Sequence, residues 1–188
     1  SYVAGRTVAG RGLKTVNSDN QFELLLKKAN LSLQMPEKDA DLRAPIRDRA
    51  KAMTAKQKAN YIEGRLGLVI DGTARDYKAL TDQAKELQQL GYDTYMIFVN
   101  TSLDVALKRN AARPRKVPEN ILTNSWKSVQ SNIGKFSLFF KKGFVIVDNN
   151  NANEDIFREV SKRVSALLRQ KVQNGRAKLW VQQQLDLK

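Results

Sequence analysis

Two acids that follow strand-like runs are the residues of this sequence best placed for chemistry. The apolar run Leu66–Ile70 ends in Asp71, and the short β-rich run Leu13–Asn17 is followed by Asp19. A run of this kind is typical of a parallel strand, which presents the residue after it at the sheet edge where ligands bind. Each acid also has a purely structural interpretation, because a carboxylate in this position can cap the next helix.

The missing residue types narrow the chemistry that these acids could perform. The 188 residues contain no cysteine and no histidine, which excludes thiolate nucleophiles, imidazole bases and the usual zinc ligands. Any reaction must therefore use carboxylates, hydroxyls, Lys and Arg, together with an oxygen-bound cation such as Mg²⁺.

A basic cluster is the third candidate feature. The segment from Lys108 to Lys116 contains five cations and no acid. The segment follows the fourth expected strand, and nucleotide kinases carry a mobile lid at the corresponding position. The cations of that lid close over the phosphate that is being transferred. The structural alternative is a solvated helix end whose cations complement the helix dipole. The chain as a whole has a formal charge of +14, which attracts nucleotides and nucleic acid, and which also fits a merely well-solvated surface.

Strand-like and helical patterns alternate along the chain and define the elements that must position these residues. Strand-like runs lead to Asp19, Asp71, Asn100 and Asp148. Helical patterns cover about residues 21–30, 39–64, 77–90, 102–107, 118–142 and 156–172. This alternation predicts an α/β fold with right-handed crossovers and a parallel sheet covered on both faces. The first three of these polar residues would then meet at one carboxyl edge.

Several details of these elements follow from single residues. Pro45 is expected near a helix start, and Gly91 is expected as a left-handed helix C-cap. Trp126 and Phe136 fall on an apolar helix face, which favours a core role over base stacking.

Length and composition predict one domain over residues 1–173, followed by a basic helical tail over residues 174–188. No apolar run approaches the ~20 residues of a membrane span, so we expect a soluble, cytoplasmic protein.

The order of these motifs resembles the P-loop kinases of the zeta-toxin type and their phage relatives, and it is similar to the kinase domain of polynucleotide kinases. The stretches that carry the resemblance, within residues 1–170, are Ser1 with its following helix, Asn17–Asp19, Val69–Arg75, Val99–Leu103, Arg109–Asn110 and Arg113–Pro118. The resemblance implies a three-layer P-loop NTPase fold that binds ATP and Mg²⁺ and transfers the γ-phosphoryl group to a hydroxyl. The acceptor could be a small molecule, a nucleotide sugar or a polynucleotide.

The resemblance also implies roles for individual residues. Ser1 looks like the last residue of the phosphate loop and would bind the metal together with Asp71. Asp19 matches the acid that accepts the proton of the substrate hydroxyl.

The remaining implied roles concern the acceptor and the phosphates. Thr73 and Arg75 would line the acceptor site. Arg109 and Arg113, with Arg115 as a substitute, are similar to the lid arginines that bind ATP and stabilise the charge on the γ-phosphoryl oxygens.

One departure from this family is serious. The sequence contains no G-x-x-x-x-G-K-[ST] motif, so the backbone cradle and the lysine for the phosphates are absent. In the family topology the strand before that loop is the central one. We therefore expect the chain to be a fragment that lacks its first strand, is inactive alone and has the missing N-terminal fragment as a partner. The alternative is a nucleic-acid-binding or interaction protein on a degenerate P-loop fold.

Overall fold

The structure is a computed structural model that describes residues 10–151 and 154–187. Ser1 and the helix expected after it lie outside the described residues. The strands are β1 (Lys14–Val16), β2 (Leu68–Ile70), β3 (Met96–Asn100) and β4 (Phe144–Asp148). The helices are α1 (Ser18–Lys28), α2 (Ala40–Glu63), α3 (Tyr77–Gln89), α4 (Leu103–Ala112), α5 (Glu119–Phe140), α6 (Glu154–Leu168) and α7 (Gly175–Asp186). Short 3₁₀ turns lie at Glu37–Asp39 and Lys141–Gly143. The four predicted strands and the mixed α/β class are confirmed.

The strands form two parallel pairs. β1 pairs with β2, placing Thr15 opposite Val69, and β3 pairs with β4, placing Phe98 opposite Ile146. Within residues 10–151 and 154–187, each pair is a separate two-stranded sheet. Parallel pairing requires a helical crossover between partners, which α1 and α2 supply for the first pair and α4 and α5 for the second.

The contacts divide the chain into two compact units. The first contains described residues 10–72 and 102–123. Its core is built where α1 packs on α2, with Phe22, Leu26 and Ala50 at most 3% exposed. Phe22 and Leu26 are four residues apart and therefore lie on one face of α1. Burial of each such side chain contributes about 1.5–3 kcal/mol to the hydrophobic free energy of folding.

The second unit contains described residues 73–101, 124–151 and 154–187. Phe98, Phe136 and Val147 lie in its core, and the Phe136 ring centre is 5.1 Å from that of Tyr77. The predicted core role of Phe136 is confirmed. Trp126 is half-buried, and its indole N–H donates to the Thr101 carbonyl at 2.7 Å.

The observed helix ends agree with one prediction from the sequence, at Gly91, and differ from two others, at Pro45 and at the start of α1. Gly91 has a φ of +108° just after α3, so the predicted left-handed C-cap is confirmed. Pro45 is the sixth residue of α2, so it lies inside the helix and not at the first helical position that proline favours. The 3₁₀ turn at Glu37–Asp39 leads directly into α2 at Ala40, and Pro45 removes one backbone hydrogen bond from the second helical turn. The helix expected from Gln21 begins at Ser18.

No helix in the described ranges is long and apolar enough to cross a bilayer.

Candidate active site

Asp19 lies in the first turn of α1 without capping that helix. The cap is Asn17, whose Oδ1 accepts a hydrogen bond from the backbone N–H of Asp19 at 2.7 Å. The capping interpretation of Asp19 is therefore wrong, and its carboxylate has other partners. Arg47 Nη1 donates to Oδ1 at 2.8 Å, and Arg115 Nη2 lies 3.0 Å from Oδ2.

The two arginines connect Asp19 to further groups. Arg115 Nε donates to Glu23 Oε1 at 2.9 Å, so one guanidinium bridges two carboxylates. Only 15% of the Arg115 side chain is exposed, against 40% for Asp19. The Arg47 guanidinium carbon lies 4.8 Å from the centre of the Phe22 ring, within range of a cation–π interaction. Asp19, Glu23, Arg47 and Arg115 form what we call the acid–arginine cluster.

The cluster fixes the protonation state of Asp19. Partial burial opposes ionisation, but hydrogen bonds and charge from Arg47 and Arg115 outweigh it, so the pKa of Asp19 lies below its usual value of 3.8. Asp19 is therefore ionised at neutral pH. Partial desolvation, followed by the charge of Arg115, lowers the pKa of Arg113 below its usual range, although a guanidinium stays protonated in proteins.

Asp71 follows β2 directly, and its capping interpretation is also wrong. The next helix, α3, is capped by Asp76, which accepts from the Ala79 N–H at 3.0 Å. Asp71 Oδ2 instead accepts a hydrogen bond from Asn17 Nδ2 at 2.8 Å. Asn17 therefore contacts the backbone that carries Asp19 and the side chain of Asp71.

The segment 113–117 is fixed by contacts to α1, to α4 and to the loop that follows α1. Asn110 in α4 is 6% exposed; its Nδ2 donates to the Val117 carbonyl at 2.7 Å and its Oδ1 accepts from the Val117 N–H at 2.9 Å. Gln34 Nε2 donates to the Pro114 carbonyl at 3.0 Å, and Arg115 binds the two acids of α1. Arg109 and Arg113, the other arginines of the predicted lid, are exposed.

A cavity of about 330 Å³ lies in the first unit beside the acid–arginine cluster. The residues that line it are Phe22, Met35, Ala40, Arg43, Ala44, Arg47, Arg115, Lys116, Val117, Pro118 and Ile121. Four of these side chains are cationic and none is acidic. The cavity therefore combines an apolar wall with positive charge, a combination that suits an anion carrying an apolar or ring portion.

Thr73 and Arg75 lie in the loop between β2 and α3, and both are exposed. They belong to the second unit, where Asn132 Nδ2 donates to the Arg75 carbonyl at 2.9 Å. The structure thus brings Asp19 together with Arg115, and Asp71 together with Asn17. It does not place Thr73 and Arg75 in the same unit as these residues.

Arg47, Glu23 and Asn17 were not predicted as site residues. Arg47 is one of many cations spread over several faces of α2, and the sequence carries no signal that separates it from the others. Asn17 did carry a signal, because an asparagine between a strand-like run and a helical pattern is typical of an N-cap.

The described carboxylates fit a magnesium ion bound together with phosphates. No cluster of three or more acids that could hold a metal occurs among them. Mg²⁺ in phosphate-transfer sites is usually bound by one or two carboxylates, with phosphate oxygens and waters completing the shell. Asp71 at the end of β2 can serve as such a ligand.

Parallel strands that lead into acids, with arginines around them, are features of the P-loop kinase class of α/β proteins. Residues 31–161 match the family model described as Zeta toxin, which is more than half of the chain. The chain belongs to the Zeta toxin family. This confirms the resemblance at the level of the family and implies P-loop, ATP-dependent kinase chemistry. The matched region includes Asp71 and the segment from Arg109 to Arg115. Asp19 lies before the first matched residue and is outside this region. The comparisons with curated proteins and with solved structures gave no match.

Proposed function

We propose that this chain is the main part of a kinase that transfers the γ-phosphoryl group of ATP to a hydroxyl of a small anionic acceptor. The observation that carries the proposal is the ionised Asp19, bound by Arg47 and Arg115 at the edge of a cationic cavity. Family membership supplies the reaction class, and the cavity supplies the argument about the acceptor.

Asp19 accepts the proton of the acceptor hydroxyl as its oxygen attacks the γ-phosphorus and ADP leaves. A low pKa does not prevent this role, because the transition state of phosphoryl transfer is loose and catalysis depends mainly on positioning and charge neutralisation. Arg109 and Arg113 lie on or just after the last turn of α4 and neutralise charge on the phosphates. Asp71 would hold Mg²⁺ together with Ser1, the pair of ligands that the resemblance implies, and the ion would neutralise further charge on the phosphates.

The size and charge of the cavity support an anionic acceptor. A volume of about 330 Å³ is close to the lower end of small-molecule sites. Arg43 and Lys116 line it in addition to the two arginines of the cluster. A phosphorylated metabolite or a nucleotide sugar suits this chemistry better than a neutral sugar or a polynucleotide end.

The phosphate loop is supplied by residues outside the printed sequence, and the chain alone is inactive. One observation supports this part of the proposal: the sequence has no G-x-x-x-x-G-K-[ST] motif.

A complementation assay tests the proposal. The chain is mixed with a peptide that carries an apolar strand and a G-x-x-x-x-G-K-[ST] loop, and ATP binding is measured by calorimetry. Transfer from γ-labelled ATP is then measured to a nucleotide sugar, to a 5′-hydroxyl oligonucleotide and to a neutral sugar. A peptide with alanine in place of the loop lysine is the matched control.

We expect ATP binding only with the intact peptide, and label transfer to the nucleotide sugar alone. Failure of ATP binding to appear with the intact peptide would refute the proposed role of the missing loop. Transfer to the oligonucleotide alone would refute the proposed acceptor.

A further inference from the structure

Arg115 differs from the other arginines of the predicted lid in its surroundings. Arg109 and Arg113 are exposed, whereas Arg115 is 15% exposed and contacts two carboxylates of α1. Its Nε faces Glu23 at 2.9 Å and its Nη2 faces Asp19 at 3.0 Å. Two of the five N–H donors of this guanidinium are already engaged by acids, and these acids already balance its charge before a phosphoryl group could bind.

The segment around Arg115 is also fixed independently of this ion pair. Asn110 bonds both backbone groups of Val117, and Gln34 bonds the Pro114 carbonyl. Arg115 is therefore presented to α1 from a rigid backbone, as a group that orients another side chain requires.

We propose that Arg115 is a positioning residue that holds the Asp19 carboxylate in one orientation, with Glu23 holding Arg115 in turn. This role rests on the proposed function, in which Asp19 accepts the substrate proton, and it replaces the expected role of Arg115 as a substitute lid arginine. Arg47 occupies Oδ1 of Asp19 and Arg115 occupies Oδ2. The two arginines thereby fix the plane of the carboxylate, and a hydroxyl that approaches it meets a single geometry.

The charged groups that face Asp19 come from all the elements around it. Glu23 lies on the same helix, Arg47 comes from α2, and Arg113 and Arg115 come from the segment after α4. Removal of Arg115 leaves Arg47 as the remaining direct partner of Asp19, and it also leaves Glu23 without its arginine. Both changes disfavour the ionised form of Asp19.

The test uses the 188-residue chain and needs no phosphoryl transfer. Carboxyl-carbon NMR gives the titration midpoint of Asp19, and three-bond couplings give its χ1 rotamer population. The variants are Arg115→Gln, which removes the charge and most of the fork, and Arg115→Lys, which keeps the charge without the fork. Lys116→Gln is the matched control, because it removes one charge from the neighbouring residue and Lys116 makes no ion pair with Asp19 in the described residues.

We expect Arg115→Gln to raise the titration midpoint of Asp19. We also expect the Asp19 side chain to sample several χ1 rotamers in this variant instead of one. Arg115→Lys should keep the midpoint closer to that of the wild type but still lose the single rotamer, which separates charge from orientation. Lys116→Gln should change neither quantity. An unchanged rotamer in both Arg115 variants, or an equal change in Lys116→Gln, would overturn the proposal.

Two further measurements keep the proposal testable if the Arg115 variants do not fold, and separate it from the proposed function. In the wild type, the Arg115 Nε–H signal should be visible and should titrate together with the acids of α1; a signal lost to solvent exchange would overturn the proposal. In the complemented kinase, Arg115→Gln should lower kcat and move the acid limb of kcat/KM to higher pH, with KM for ATP unchanged. A raised KM for ATP with an unmoved acid limb would instead assign Arg115 to the phosphates. Absence of any transfer, with the expected NMR result, would count against the proposed function alone.

Discussion

The side chain of Asn17 joins the two acids of the site. Its Oδ1 caps α1 at the Asp19 N–H, and its Nδ2 donates to Asp71 Oδ2. Few residue types can do both, because the first contact needs an acceptor and the second needs a donor. Serine supplies a cap without an amide donor, and aspartate supplies a cap that places a second carboxylate against Asp71.

This double contact predicts an order of stability among variants of Asn17. Asn17→Ala should lose about 1 kcal/mol of the free energy of unfolding, since it removes the cap. Asn17→Ser should retain most of it, and Asn17→Asp should be less stable than Asn17→Ser at neutral pH because its carboxylate repels Asp71. Urea unfolding of the three variants measures this order. Equal stability of the aspartate and serine variants would show that the Asp71 contact contributes nothing.

The depressed pKa of Asp19 predicts how stability depends on pH. A carboxylate whose folded pKa lies below its unfolded value contributes stability that is complete above the unfolded pKa and is lost as pH falls through the folded pKa. For Asp19 this window lies below its ordinary value of 3.8. Asp19→Asn should therefore lower the melting temperature at pH 7 and narrow its difference from the wild type as the pH falls below that value.

The size of this effect at pH 7 is limited by solvent. Asp19 and Arg47 are 40% and 37% exposed, so the loss should be at most about 1 kcal/mol. Glu86→Gln on α3 is the control, because Glu86 is exposed and makes no ion pair within the described residues, unlike Asp82 on the same helix, which pairs with Lys78. The account of Asp19 fails if Asp19→Asn and Glu86→Gln show the same pH dependence.

At the scale of elements, the buried Asn110 binds both backbone groups of Val117 at the end of the segment 113–117. Asn110→Ala removes both hydrogen bonds to the Val117 backbone and leaves a partly buried N–H and carbonyl without this partner, at a cost of about 1–3 kcal/mol. Thermal unfolding measures the loss, and amide hydrogen exchange at Val117 should become faster. Asn124→Ala, an exposed change on α5, is the matched control and should stay within about 0.5 kcal/mol. Unchanged exchange at Val117 would contradict the assigned anchoring role.

The elements that could be predicted from the sequence are those determined locally. The strand-like runs before Asp71 and Asn100 are continuous and apolar, and Gly91 terminates α3 by its own backbone preference, so the sequence alone located them. The start of α1 was missed because the capping role went to Asp19 instead of Asn17. Pro45 does not mark the start of α2, because the chain is already helical from Ala40, as the helical pattern from residue 39 predicts.

The contacts between distant parts of the chain could not be predicted in this way. Asp19 meets Arg47 and Arg115, which are separated from it by 28 and 96 positions in the sequence. The cations of α2 point in several directions, and only the packing of Phe22 and Leu26 against Ala50 selects the face that brings Arg47 to Asp19. Asp19 and Asp71 were predicted as site residues because strand ends converge, but their partners depend on tertiary packing.

At the scale of the whole molecule, the charge of +14 predicts salt-sensitive binding of polyanions without sequence preference. Fluorescence anisotropy should show that affinity for a single-stranded oligonucleotide falls at least about tenfold between roughly 50 and 200 mM salt. An uncharged peptide nucleic acid of the same base sequence is the matched control and should not bind. An affinity that is independent of salt would indicate base recognition and would favour the nucleic-acid-binding alternative.

The central claim is that Asp19 is the base of a phosphotransferase. Its most direct test is Asp19→Asn in the kinase completed with its phosphate loop, with ATP affinity and the transfer rate measured on the same sample. We predict unchanged ATP affinity and a transfer rate lower by about 100-fold or more, while the control Asp82→Asn matches the wild type in both. A transfer rate that is unchanged in Asp19→Asn would contradict the account.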